Sequence, residues 1–126
     1  MDEQVERLLA GCPPAVRELA VAAGALIEEV VPDAVVEVDV SARLIAYTFQ
    51  PGTYRGVVAA VALHGAYVNI MFGRGVELLE HDGDGLLEGT GRTARHVKVR
   101  RVEDVARPGV RRLIAASAAL TPRSGR

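Results

Sequence analysis

The fold is decided by residues 34–72, which read AVVEVDVSARLIAYTFQPGTYRGVVAAVALHGAYVNIMF. In the first part of this stretch Val36, Val38 and Val40 alternate with acidic residues, and this period of two is typical of a strand with one buried and one solvent-facing side. Residues 57–63 are apolar at every position, which predicts a central strand covered on both faces. Short links separate these runs, so we expect neighbouring strands to pair antiparallel.

Further strands and three helices are predicted within this stretch and on both sides of it. Alternation predicts strands at residues 43–50, 67–72 and 95–101. Apolar residues at helical spacing predict helices at residues 2–10 and 14–31, and a last helix that begins at Pro108. This order, ααβββββα, predicts an α+β domain at residues 1–120, with an antiparallel sheet of about five strands and the N-terminal and C-terminal helices packed on one face. Residues 121–126 are predicted to form a flexible basic tail.

The composition of the 126 residues excludes several classes of protein. With 49% apolar and 25% charged residues, the chain fits a compact globular domain. The single cysteine, Cys12, excludes an internal disulfide and a zinc site of several cysteines, and it fits a reducing compartment. The acidic N-terminus is unlike a secretion signal, and no apolar run approaches the ~20 residues of a membrane span. We therefore expect a cytoplasmic protein that has no membrane partner.

The net charge of −1 conceals two regions of opposite sign. Residues 1–91 contain 14 acidic and 5 basic side chains, whereas residues 92–126 contain 10 basic and 2 acidic ones. Proteins that bind nucleic acids usually combine such a basic region with a high isoelectric point or with aromatic stacking platforms. Here the isoelectric point is about 6.3 and aromatic residues make up only 4% of the chain, so a nucleic-acid partner is not expected.

The first candidate site is the glycine-rich loop at the border of these two regions. Glycines can turn consecutive backbone N–H groups toward an anion, and nearby cations add charge-assisted hydrogen bonds. This interpretation assigns a small anionic ligand to Gly89, Thr90, Gly91, Arg92, Arg95, His96 and Lys98. The alternative is that the two glycines only supply turn conformations before an edge strand, while the cations are solvated or paired with acids.

Other motifs do not carry chemistry in this chain. Residues 89–94, GTGRTA, match the glycine pattern of dinucleotide-binding folds, but a predicted strand does not precede them and a predicted helix does not follow. A calcium loop that begins at Asp82 would need a glutamate where Thr93 stands. His64 is interpreted as a turn residue and Cys12 as a buried structural thiol. Because the sequence contains no nucleophile elbow, zinc-protease motif or phosphate-binding loop, no catalytic residue is assigned.

Several short runs together resemble the YdhG-like family, whose biochemical role is mostly unassigned. The more specific runs lie in the C-terminal half of the chain, at residues 86–92 (LLEGTGR), 95–99 (RHVKV) and 103–105 (EDV), with Pro108 after them. Residues 14–17 (PAVR) and 31–34 (VPDA) are similar to the family's N-terminal helix and the start of its first strand. The resemblance covers residues 5–120 and implies an α+β fold in which helices pack against an antiparallel sheet.

Some relatives in that family are described as frataxin-like iron chaperones, and this implies a second candidate site. Frataxin-type iron binding uses surface carboxylates on a helix and an adjoining strand, since oxygen ligands suit a hard metal ion. In this chain such an acidic patch would consist of Glu18, Glu28, Glu29, Asp33, Glu37 and Asp39. The alternative interpretation is an ordinary solvated acidic face.

The sequence thus leaves two functions open. The first is a non-catalytic binding module for a small anionic ligand or a protein partner, for which no cofactor is required. The alternative is a frataxin-like iron-binding chaperone, in which the acidic patch holds iron. A homodimer is also expected, because the sheet face without helices would carry Tyr67, Asn69 and Met71 beside Lys98 and Glu37.

Overall fold

A computed structural model describes residues 2–123 of the chain. In chain order the elements are the helices α1 (Glu3–Ala10) and α2 (Pro14–Val30), the strands β1 (Val35–Asp39), β2 (Leu44–Thr48), β3 (Val57–Leu63) and β4 (Val68–Phe72), a 3₁₀ helix (Gly75–His81), the strands β5 (Leu87–Glu88) and β6 (Arg95–Val99), and the helices α3 (Val102–Val105) and α4 (Pro108–Leu120). The predicted α+β class is confirmed.

The strands of this part of the chain form one antiparallel sheet in the order β1-β2-β3-β4-β6-β5. The helices α2 and α4 both pack on β3, near the middle of the sheet. The sheet has one strand more than predicted, because the two residues of β5 are too few to show an alternation in the sequence. Among residues 2–123 no helix combines the length and the apolar character that a membrane span needs.

Local chemistry explains where the N-terminal helices begin. The Asp2 carboxylate accepts hydrogen bonds from the N–H groups of Gln4 (2.7 Å) and Val5 (3.3 Å), and such a cap stabilises a helix by about 0.5–2 kcal/mol. Pro14 occupies the first position of α2, where its missing N–H is not needed. The predicted starts of both helices therefore lie within one residue of the observed ones.

The hydrophobic core lies between the helices and one face of the sheet. From the sheet it contains Val61, Ile70 and Val97, and from the helices it contains Ile27 and Leu113, all of them at most 3% exposed. Burial of such a side chain contributes ~1.5–3 kcal/mol relative to leaving it in water. The alternation along each strand places the neighbouring residues on the opposite side, which we call the outer face.

The strand register defines the outer face as two rows of side chains. The first row contains Glu37, Ala46, Ala60, Met71 and His96, on β1, β2, β3, β4 and β6 in that order. The second row contains Asp39, Leu44, Ala62, Asn69 and Lys98 on the same strands. Both rows therefore begin with an acid on β1, pass through small or uncharged residues and carry a basic residue on β6. In the first row Glu88 on the edge strand β5 follows His96.

The end of the described chain is tied to the body of the protein. The Gln50 side-chain amide donates a hydrogen bond to the carbonyl of Pro122 (2.8 Å), and the Thr121 hydroxyl donates one to the carbonyl of Ser117 (2.7 Å). Arg123 forms an ion pair with Asp33. Residues 124–126, the last part of the predicted flexible tail, lie outside the described residues.

The helix α2 and the strand β2 approach each other closely at Gly24 and Tyr47. A Cβ atom added to Gly24 would lie 2.5 Å from the Tyr47 hydroxyl oxygen and 3.6 Å from the ring carbon that carries it. Only the first of these distances is shorter than real Cβ contacts, so the Tyr47 ring would have to shift before a side chain could enter position 24. The packing of α2 on the sheet therefore favours glycine at position 24 as long as position 47 is tyrosine.

We predict that Gly24→Ala destabilises the protein by about 1–2 kcal/mol, because the steric cost of overpacking exceeds the gain in helix propensity. In the Tyr47→Phe background the same change should be neutral or stabilising by up to about 1 kcal/mol, because the clashing oxygen is gone. Urea denaturation of the two single variants and the double variant measures this coupling. An equal cost of Gly24→Ala in both backgrounds would contradict the assigned contact.

Candidate functional site

Arg95 is used to close the glycine-rich loop. Its guanidinium donates hydrogen bonds to the carbonyl oxygens of Gly91 (2.5 Å) and Ala94 (2.7 Å). A Cβ atom on Gly75 would lie 2.3 Å from the backbone nitrogen of Arg95, so the start of the 3₁₀ helix is packed directly against this residue. The neighbouring Gly89 adopts a φ of +121°, which only glycine accepts readily. The loop is therefore held by its own arginine, and that arginine has a structural role.

The other cations of the predicted anion site lie on different surfaces. Arg92 borders a hollow that it shares with Tyr54, Arg74 and Glu77. His96 and Lys98, in contrast, lie on the outer face, beside Met71 and Asn69. Thr90 is exposed between the two glycines of the loop. The structure thus brings part of the predicted set together, with Gly89 close to Arg95 and His96, while Arg92 borders a separate hollow.

The residues of the predicted acidic patch are also separated. Glu29 pairs with Arg111 and Asp33 pairs with Arg123, so two of the carboxylates are used to hold α4 and the segment after it. Glu37 accepts a hydrogen bond from the N–H of Gly52 (2.8 Å). Within residues 2–123 no three His, Cys, Asp or Glu side chains are grouped so that they could hold a metal ion.

Asp39, the last member of that patch on β1, caps the turn that follows its strand. Its carboxylate accepts hydrogen bonds from the N–H of Ala42 (3.1 Å) and the hydroxyl of Ser41 (2.9 Å). These bonds, that of Ala42 above all, lower the pKa of the carboxyl group. Asp39 is therefore an ionised turn cap in this structure.

The ion pairs account for part of the charge asymmetry of the sequence. Besides Arg111 and Arg123, Arg112 pairs with Asp84 at 3.1 Å, so three arginines of the basic region neutralise acids of the acidic region. Exposed pairs of this kind are worth only about 0–1 kcal/mol each. They leave Lys98, Arg100, Arg101 and Arg107 as a separate group of cations at the junction of β6 and α3.

This group lines what we call the cationic cleft, a cavity of about 270 Å³. Its lining consists of Glu88, Lys98, Arg100, Arg101, Asp104 and Arg107. Four cations thus face two carboxylates, and one of those carboxylates, Asp104, is occupied by contacts within the protein. The cleft therefore carries an excess of positive charge and hydrogen-bond donors.

Asp104 builds the wall of the cationic cleft. One of its carboxylate oxygens accepts hydrogen bonds from the N–H groups of Arg100 (2.9 Å) and Arg101 (3.1 Å), and the other lies 3.3 Å from the Arg107 guanidinium. These contacts, that of the Arg100 N–H first, lower the pKa of the Asp104 carboxyl group although its burial acts in the opposite direction. Asp104 is thus a fixed anion that holds three arginines around one turn.

Lys98 is positioned by an aromatic pair at the side of the cleft. Its ammonium group lies 4.6 Å from the centroid of the Tyr67 ring, and that ring stacks on His64 with 4.7 Å between centroids. The neighbouring Asn69 is buried, and its side-chain oxygen has no hydrogen-bond partner among the described residues. A cation held over an aromatic face keeps its charge and its donors available to a ligand.

Sequence reasoning found Lys98 but missed the arginines of the cationic cleft. The charge count marks residues 92–126 as basic, yet it does not show which cations remain unpaired after folding. One local signal was present, because Asp104 follows Arg101 at the three-residue spacing of a helix cap. That spacing predicts the short helix α3, which gathers Arg100, Arg101 and Arg107.

Comparisons of the chain with protein-family models, curated proteins and solved structures returned no match. The resemblance to the YdhG-like family therefore stays a prediction.

We predict that Asp104→Asn destabilises the protein by about 1–2 kcal/mol at neutral pH, because the amide cannot replace the charge that caps two N–H groups. The folded-state pKa of Asp104 is lowered, so its stabilising effect is present above the ordinary carboxyl pKa and is lost as pH falls through the folded-state value. The difference in unfolding free energy between wild type and variant should therefore shrink in acid. Glu103→Gln, at the exposed neighbouring position, is the matched control and should change stability little at any pH.

Proposed function

We propose that the protein is a non-catalytic binding module that takes a small anionic ligand in the cationic cleft. The observation that carries this proposal is the convergence of Lys98, Arg100, Arg101 and Arg107 on one cavity. Among the carboxylates of residues 2–123, these cations have one at salt-bridge distance, that of Asp104 beside Arg107. The cation–π contact of Lys98 leaves its N–H donors free for a further acceptor.

The chemistry of the lining favours phosphate or carboxylate groups. Arginine presents parallel N–H donors that match two oxygens of such a group, and lysine adds a point charge. The volume of about 270 Å³ lies just below the range of pockets for drug-sized ligands, so the cleft suits an anionic head group more than a large apolar body. Glu88 at the edge of the cleft would disfavour anions that carry a bulky negative tail toward it.

This proposal keeps part of the site predicted from the sequence and moves the rest. Lys98 belongs to both the predicted site and the cleft. His96 precedes Lys98 on the same face of β6 and lies outside the cleft lining. Arg92 and Arg95 are not part of the cleft lining, since one borders another hollow and the other closes its loop. The glycine-rich loop then serves to connect β5 and β6 next to the ligand.

We expect inorganic phosphate to bind the cationic cleft, and titration with backbone NMR detection at constant ionic strength measures it. The double variant Arg100→Gln/Arg101→Gln should weaken phosphate binding about tenfold or more, because hydrogen bonds to charged groups contribute roughly 1.5–3 kcal/mol. Arg17→Gln removes an exposed arginine of α2 and is the matched control, with less than a twofold effect expected. Equal losses in the two proteins, or shifts that lie away from the cleft, would refute the site.

The same titration with ferrous iron tests the alternative function, a frataxin-like iron-binding chaperone. The dispersal of Glu28, Glu29, Asp33, Glu37 and Asp39 gives that function no geometric support. Paramagnetic broadening confined to these residues, together with an absence of phosphate binding, would favour the iron chaperone over the anion-binding module.

We also propose that the protein forms a weak homodimer through the outer face. Consider two copies stacked face to face around a two-fold axis that runs along β3. This rotation keeps each residue in its row, but it places β1 of one copy opposite β6 of the other copy, and β2 opposite β4. Glu37 then faces His96 of the second copy, and Asp39 faces Lys98 of the second copy. No like charges of these rows meet in this arrangement.

The middle of the outer face also fits such a contact. Ala60 and Ala62 lie on the axis, and their small side chains allow the two sheets to approach. Met71 faces Ala46 of the second copy, so a large side chain meets a small one. The two rows cover on the order of 400 Å² per copy at ordinary strand spacing, about half of a standard stable interface. We therefore expect a weak dimer, with a dissociation constant on the order of 0.1 mM or above.

A charge exchange tests this dimer. Asp39→Lys and Lys98→Glu should each weaken self-association, because each brings like charges together across the two-fold axis. An equimolar mixture of the two variants should recover it, since every pair in the mixed dimer is again of opposite sign. Sedimentation velocity at protein concentrations up to about 1 mM is the measurement. A monomer throughout for the wild type, or a mixture no better than its parents, would rule out this interface.

A further inference from the structure

A second cavity, of about 310 Å³, lies between α1, α2, β1 and β2, on a different part of the molecule from the cationic cleft. We call it the α1 pocket. Its apolar lining includes Val5 and Leu9 from α1, Ala20 from α2 and Ile45 from β2. Its polar lining consists of Asp2, Glu28 and Tyr47. The pocket thus combines apolar walls with two carboxylates and a hydroxyl, and residues 2–123 contribute no cation to its lining.

The Tyr47 hydroxyl is an unused polar group in the wall of this pocket. Tyr47 is 95% buried, and within residues 2–123 its hydroxyl makes no hydrogen bond. Gly24, which also lines the pocket, leaves the space in which this hydroxyl lies. Since Asn69 Oδ1 is the enclosed side-chain atom without a partner among the described residues, the Tyr47 hydroxyl is open to the pocket, where a ligand atom can form a hydrogen bond with it.

The protonation state of this hydroxyl is fixed at neutral pH. Burial, with a smaller effect of the Glu28 charge, raises the pKa of Tyr47 to about 12. The neutral hydroxyl can therefore donate one hydrogen bond and accept another.

Glu28 supplies the charge at the rim of the pocket. It lies on the exposed side of α2 and forms no ion pair within the described residues, whereas the next residue, Glu29, is paired with Arg111. Asp2 adds a second carboxylate, of which one oxygen caps α1. A ligand that enters here meets negative charge at the rim and apolar side chains inside.

We propose that the α1 pocket binds a small primary amine with a short branched apolar body. The ammonium group would donate hydrogen bonds to the Glu28 carboxylate and the Tyr47 hydroxyl, and the apolar body would lie against Ile45 and Leu9. An ammonium group carries three donors, which matches the acceptors of this rim. The volume of the α1 pocket, about 310 Å³, lies at the lower end of the usual range for ligand sites, so the pocket suits a small ligand. This inference does not depend on the proposed anion site.

Isoamylamine is the probe, and binding is followed by backbone NMR on the full chain. We expect shifts at Gly24, Ile45 and Tyr47 and saturation at millimolar amine, as for a ligand of few atoms. Isoamyl alcohol has the same shape without the charge and should bind at least fivefold more weakly, and isovalerate should not bind. A blocked lysine amide is the second arm: binding equal to that of isoamylamine would assign the site to a lysine side chain of a partner and overturn the small-amine proposal.

Three variants decide whether the named groups recognise the amine. Glu28→Gln should lower amine affinity about tenfold and remove the preference over the alcohol, while Glu18→Gln, an exposed carboxylate on the same helix, should have less than a twofold effect. Tyr47→Phe should lower amine affinity several-fold, with far-UV circular dichroism as the check on its fold. Amine binding that is unchanged by Glu28→Gln, or shifts located outside the α1 pocket, would overturn the proposal.

Discussion

The burial of β3 on both faces is the constraint on which the rest of the structure depends. Its inner residues Ala59, Val61 and Leu63 are covered by α2 and α4, while its outer residues Ala60 and Ala62 are at most 9% exposed although they lie opposite the helices. A strand that is apolar on both sides can lie only inside a sheet, and so its neighbours on both edges must be present. The central position of β3 in the sheet and the packing of α2 and α4 on its inner side agree with this constraint.

The packing of the helices on the sheet also brings the acidic and the basic region of the chain into contact. The acidic region of the chain supplies α2 and β1, and the basic region supplies β6 and α4, so the two are brought together when α4 packs on the sheet. Pairs such as Glu29 with Arg111 consume part of the opposite charges at that contact. The cations that line the cleft beside α3 outnumber the two carboxylates of its lining, Glu88 and Asp104, and an excess of positive charge stays at the surface there. The cationic cleft thus holds positive charge that the carboxylates of the protein do not fully neutralise.

Much of the fold could be predicted from the sequence because its signals are local. The seven apolar residues of β3 lie at the positions predicted, and the proline at the start of α2 and the proline at the start of α4 both begin helices. The two residues of β5 could not be found, since their strand character comes only from pairing with Val97 and His96. The 3₁₀ helix at Gly75–His81 packs against Arg95, a tertiary contact that no local signal in the sequence shows.

The candidate site was harder to predict, because residues that are adjacent in the sequence can direct their side chains to different surfaces of the protein. Arg95 and His96 are adjacent in the chain, yet one turns toward the loop carbonyls and the other lies on the outer face of the sheet. Alternation along a strand always separates such neighbours by a full sheet thickness. The basic character of the region could be predicted, but the division of its cations between loop closure, ion pairs and the cleft requires the tertiary structure.

The contact between Gly24 and Tyr47 also restricts how this protein can change during evolution. Because the tyrosine oxygen lies close to the place of a Cβ atom, a side chain at position 24 is better tolerated after the hydroxyl has been lost. Lineages that lose the tyrosine would then be free to strengthen the helix at position 24, and a later return to tyrosine would lower stability. Among descendants of this chain, tyrosine at position 47 should therefore be accompanied by glycine at position 24, whereas the glycine can remain without the tyrosine.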